Sequence, residues 1–122
     1  MSFVESRDDV PGYLISAVPG FKGSEEYLEW KEGDLAEAPA IAGGAFADFL
    51  VRTIERRGDV GMIFLAIEYL ASSSSSEVQN FVVVDFFEAL TCSKGTQSRI
   101  EKGFLPNTRG LLKRFDLIGR HR

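Results

Sequence analysis

The spacing of apolar residues between positions 43 and 92 constrains the fold of this chain most. Phe46, Phe49, Leu50 and Ile54 recur at i, i+3, i+4 and i+8, with Asp48, Arg52, Glu55 and Arg56 on the other side. That is one apolar face of an amphipathic helix. Val60, Ile63, Phe64, Ile67 and Leu70 repeat the pattern. Val78, Phe81, Val82, Phe86, Ala89 and Leu90 repeat it again, broadened by Val83, Val84 and Phe87. No segment alternates apolar and polar residues at period two over several positions, so the chain reads as all-α.

Boundary signals fit the same reading. Gly58 is placed to take a left-handed turn after the first central helix, and Arg56 and Arg57 suit its negative end. Asp59 is a natural N-cap for the next helix. Gly61 weakens that helix by about 1 kcal/mol relative to Ala. The run Ser72 to Ser76 reads as a short interhelical loop rather than a flexible linker. Ser74 stands three residues before Glu77, the spacing of a capping box, and predicts a helix from Glu77 to about Cys92. Phe81-Val82-Val83-Val84 has high β propensity, which burial overrides here.

Nearer the start, Val10, Tyr13, Leu14, Ala17 and Val18 follow helical spacing around Pro11, and Pro19-Gly20 predicts a stop. Ser24 caps a short helix through Glu25, Glu26, Tyr27, Leu28, Trp30 and Lys31 that Gly33 ends. Residues 35–42, with Pro39 and several alanines, read as an approach loop. A helix is expected over Ser93 to Gly103. Another starts at Pro106 and carries Leu111, Leu112, Phe115 and Leu117 or Ile118. The expectation is a compact bundle of about five to seven short antiparallel helices, with loops short enough to favour antiparallel neighbours. The three central elements also have something of a short α-solenoid of HEAT or armadillo character, without a sequence repeat that establishes one.

A chain of 122 residues fits one domain, residues 1–122. With 44% hydrophobic and 26% charged residues it has a globular composition. The start, Met1 to Asp9, is mixed and acidic rather than a signal peptide, and no run reaches the roughly 18–20 apolar residues of a membrane span. A cytoplasmic location is expected, with no membrane partner.

Chemistry has few candidates. A single cysteine, Cys92, and a single histidine, His121, form neither an internal disulfide nor a Cys/His zinc cluster, so no metal and no cofactor is expected. There is no Gly-x-Ser-x-Gly elbow, no G-x-G-x-x-G fingerprint and no Walker sequence. Arg57-Gly58-Asp59 matches an adhesion tripeptide, yet each residue already serves a helix boundary. Cys92 reads as a buried structural thiol and His121 as part of a tail, so the chain reads as a non-enzyme. Asp85 has three readings, of which a catalytic carboxylate comes last, because no second catalytic group can be named. It lies on an exposed stripe with Glu77, Asn80 and Glu88, or it is buried and linked to an arginine such as Arg109 or Arg114.

The net charge of −4 divides unevenly. Residues 1–91 hold 16 acids and 6 bases, and residues 92–122 hold 2 acids and 8 bases. The acids are densest at Glu25, Glu26, Glu29, Glu32, Asp34 and Glu37. Such a face attracts basic protein surfaces and repels nucleic acid. The basic end (Lys94, Arg99, Lys102, Arg109, Lys113, Arg114, Arg120, Arg122) either touches phosphate or balances the acidic body.

A resemblance follows from the residues. Phe46-Ala47-Asp48-Phe49-Leu50-Val51-Arg52-Thr53-Ile54-Glu55 comes first. Ile63-Phe64 and Ile67-Glu68-Tyr69-Leu70 follow, then Glu77-Val78-Gln79-Asn80 and Val84-Asp85-Phe86-Phe87-Glu88-Ala89-Leu90. Phe104-Leu105-Pro106-Asn107-Thr108-Arg109-Gly110-Leu111-Leu112 ends the series. In this order they resemble a family of small all-helical bacterial proteins, similar to the immunity proteins encoded beside polymorphic toxins, contact-dependent growth inhibition systems among them. The resemblance implies a cytoplasmic, non-enzymatic inhibitor that binds the C-terminal domain of one cognate toxin and covers its active site. It carries over no binding residues. The charge pattern nominates Glu25, Glu26, Glu29, Trp30, Glu32, Asp34 and Glu37 as the partner-binding face, with Tyr27 and Trp30 as aromatic anchors and a nuclease as a fitting basic target. The alternative is a helical-repeat adaptor of an unrelated pathway.

Overall fold

A computed structural model describes residues 4–29 and 38–115, and all regular structure among them is helical. A 3-10 turn, Arg7–Asp9, leads into α1 (Val10–Ala17), α2 (Pro19–Lys22) and α3 (Glu25–Leu28). After the segment 30–37 come α4 (Pro39–Glu55), α5 (Gly61–Ala71) and α6 (Ser76–Asn80). The last continues without a break through a widened π-helical turn, Phe81–Phe86, and a 3-10 turn, Phe87–Ala89. α7 (Lys94–Gly103) and α8 (Pro106–Phe115) close the described chain.

The all-α bundle is as expected, and several boundaries are corrected. Pro19 does not stop the chain. It opens a single-turn helix, because a missing N–H has no intrahelical partner at the first position anyway. Pro39 does the same for α4, so residues 39–42 belong to a 17-residue helix rather than a loop. At the other end of α4 the left-handed residue is Arg57, with φ 57°, not Gly58. The Arg57 N–H donates to the Ile54 carbonyl and the Gly58 N–H to that of Thr53, the two bonds of a Schellman ending. Gly58 is still favoured there, because a Cβ would come within 3.0 Å of Thr53 Cγ2. The N-cap of α5 is Val60 rather than Asp59, whose Oδ1 nevertheless accepts the Gly61 N–H at 3.0 Å. The cap of α6 is Ser75, whose hydroxyl accepts the Val78 N–H, rather than Ser74.

The core is built on phenylalanine. Phe21, Phe46, Phe81, Phe86 and Phe104 are fully buried. Phe46 of α4 sits edge-on to Phe21 at 5.1 Å between centroids and reaches Phe86 at 6.2 Å; Phe86 in turn reaches Phe104 at 6.4 Å. Such ring pairs each add about 0.5–1.5 kcal/mol beyond area burial. α4 is the central helix, packed by α1, α3, the π turn and α7. It meets the π turn at Gly43, where a Cβ would stand 2.6 Å from both Cβ and the carbonyl oxygen of Asp85.

Candidate functional site

Asp85 decides what the π turn is for. It is 7% exposed, and the outward stripe is Glu77, Asn80, Val84 and Glu88, so Val84 holds the place expected for Asp85. The reason is spacing. Asp85 follows Phe81 by four residues and shares its inward face. Its partner is an arginine, but neither Arg109 nor Arg114. Arg7 donates from Nε to Oδ2 at 2.7 Å and from Nη2 to Oδ1 at 2.8 Å, a two-pronged pair across 78 positions of sequence. The Asp9 carboxylate accepts the Glu5 and Ser6 N–H groups at 3.1 Å and fixes the turn that presents Arg7. Both carboxylate oxygens of Asp85 are thus engaged in a structural link.

A second carboxylate is equally committed. Glu68 of α5 accepts the N–H groups of Asn107 and Thr108 at 3.0 and 2.9 Å, together with the Asn107 amide and the Thr108 hydroxyl. It caps the first turn of α8 from another helix. Partial burial alone would raise its pKa. The four hydrogen bonds outweigh that and hold it below the ordinary glutamate value.

The nominated acidic face is described at Glu25, Glu26 and Glu29; Trp30, Glu32, Asp34 and Glu37 lie outside the described residues. Ser24 caps α3 as expected, accepting the Tyr27 N–H at 3.2 Å. Arg52 of α4 donates to Glu25 at 2.5 Å and to Glu26 at 3.2 Å, so two of the three acids are partly neutralised from within. Glu29 is exposed. Asp48, which the sequence places only on the polar side of α4, joins them. Its pKa is raised by burial and then by Glu26 and Glu29. Tyr27 is half-buried with its ring edge-on to Phe21 at 5.6 Å, whereas the neighbouring Leu28 is 66% exposed.

A second surface was not singled out from sequence. Along α5, Met62, Leu65 and Tyr69 are 50%, 62% and 41% exposed, at i, i+3 and i+7. Tyr69 lies 4.8 Å from the half-buried ring of Tyr13 on α1, which extends the stripe onto a second helix. The signal was present: α5 is apolar on its outer side as well as its inner side. A helix apolar all round reads as fully buried, and α5 is buried on one side only.

Cys92 is half-buried in the link before α7, its thiol donating to Gln97 Oε1 at 3.4 Å. Burial, then Glu55 and Glu101, push its pKa up, away from the thiolate a nucleophile needs. No group of three or more His, Cys, Asp or Glu among the described residues is placed to hold a metal. No described helix is long and apolar enough to cross a membrane. His121 lies outside the described residues.

A family model for a domain of unknown function, DUF7674, matches residues 11–118. The chain belongs to the DUF7674 family. The match begins inside α1 and runs beyond α8, so it takes in the whole helical bundle from the first helix onward, the Glu68 cap included. No curated protein and no solved structure matches the chain. Arg7 stands outside the matched stretch, yet it closes the buried ion pair of this DUF7674 bundle.

Proposed function

We propose that this DUF7674 protein is an immunity-type binding protein that neutralises the C-terminal domain of a cognate bacterial toxin by covering its active site, in the cytoplasm and without catalysis of its own. The observation that carries a protein-binding role is the stripe of Met62, Leu65 and Tyr69 on α5. Large apolar side chains in a row on an ordered helix, ending on a tyrosine pair, are the kind of surface that anchors a protein partner. The order of motif residues from Phe46 to Leu112 supplies the immunity reading. The acidic edge at Glu26, Glu29 and Asp48 supports a basic target, a nuclease domain being the best fit, because complementary charge speeds encounter.

The second reading is a helical adaptor of another pathway, which the same α5 stripe favours equally. Co-expression separates the two. Cells producing the product of the neighbouring gene should die, and cells producing both proteins should survive. A neighbour that is harmless alone, or that kills regardless, removes the immunity reading and leaves the adaptor.

A further inference from the structure

The cations at the end of the chain are not spread evenly. Lys94, Gln97, Ser98, Glu101 and Lys102 line one face of α7 at helical spacing, and Arg109 and Leu112 of α8 face them across a cleft of about 540 Å³. Lys94, Lys102 and Arg109 are exposed. Arg7 and Arg52, by contrast, are tied to Asp85, Glu25 and Glu26. Arg109 is nevertheless held in place. Its Nε donates to the Phe104 carbonyl at 2.6 Å and its Nη2 to the Lys102 carbonyl at 2.9 Å. A guanidinium fixed through neutral carbonyls keeps its charge and loses little freedom when it meets an anion.

We propose that the α7–α8 cleft binds a compact anion carrying several phosphates, of the size of a nucleoside polyphosphate. Three cations line the cleft against one carboxylate, Glu101, so its wall carries a net positive charge that suits clustered phosphate oxygens, and Arg109 adds donors in a planar fork. The Ser98 hydroxyl is a further donor, and Leu112 gives the cleft an apolar wall. The volume lies in the range of small-molecule sites. Two features favour a compact ligand over a strand of nucleic acid. α7 spans ten residues, roughly 15 Å, so the basic face is short. Beyond it the first 91 residues hold 16 acids against 6 bases, which repel a long polyanion.

The test is titration calorimetry on the full chain at low salt with three probes: inorganic triphosphate, ATP, and a single-stranded DNA 20-mer. Triphosphate and ATP should bind. Lys102→Gln and Lys94→Gln should each weaken both by at least about tenfold, the size of one charge-assisted hydrogen bond. Both lysines are exposed, so the variants should melt as the wild type does, and Arg109 stays untouched because it also ties down two carbonyls. Three outcomes overturn the proposal: no triphosphate binding, binding unchanged in the Lys94→Gln/Lys102→Gln double variant, or tighter binding of the 20-mer than of triphosphate.

Discussion

At the scale of single residues, two carboxylates do the joining. Asp85 is buried with both oxygens bound to Arg7, so removing the cation strands a charge inside the bundle. Arg7→Met should lower stability by about 2 kcal/mol in urea unfolding. That is below the roughly 3–5 of a fully buried pair, because the arginine is itself partly open to water. The Arg7→Met/Asp85→Leu double variant should recover much of the loss, since no charge then remains to be solvated. Glu68 offers a pH-dependent counterpart. Its folded pKa is depressed, so its stabilisation is present above the ordinary value near 4.5 and is lost as pH falls through the lower folded value. Glu68→Gln should therefore cost about 1 kcal/mol at neutral pH. The gap to wild type should close in acid, as followed by thermal melts across pH. A constant gap would contradict the capping role. Neither partner was visible in sequence. Helical spacing puts Asp85 on the face of Phe81, but a partner 78 positions away has no local signal.

At the scale of elements, the apolar period is a sound guide and the punctuation is less so. Faces such as Phe46–Leu50–Ile54 and Ile63–Ile67–Leu70 are buried as their spacing predicts. Pro19 and Pro39 depart from expectation because Pro can open a helix as well as end one, and at Gly58 the left-handed position falls one residue earlier, on Arg57. Gly43 and Gly44 both lie inside α4. The two glycines are not equivalent. A Cβ on Gly43 would run into the Asp85 backbone, while one on Gly44 meets nothing within 4 Å. Gly43→Ala should destabilise by about 1–3 kcal/mol through overpacking. Gly44→Ala should stabilise by about 0.5–1 kcal/mol through helix propensity. Equal effects in chemical denaturation would contradict the packing of α4 on the π turn.

At the scale of the molecule, charge and apolar surface are separated. The acidic edge near α3, the apolar stripe on α5 and the basic cleft between α7 and α8 are distinct features of one small bundle. The uneven charge was readable by counting. The stripe was not, because period alone does not say which side of an apolar helix meets a neighbour. Arg52 already holds Glu25 and Glu26, so among the described residues of this edge Glu29 and Asp48 carry most of the steering charge. Glu29→Lys should slow association with a basic partner several-fold at low salt, and salt should erase the difference.

Under the proposed function, the toxin domain docks on α5. The decisive measurement is the affinity of the purified protein, wild type and Leu65→Lys, for the product of the neighbouring gene. Leu65 is exposed, so the variant should fold as the wild type does. A stable complex that Leu65→Lys weakens by at least about thirtyfold is expected. No complex, or a complex indifferent to Leu65→Lys, would contradict it.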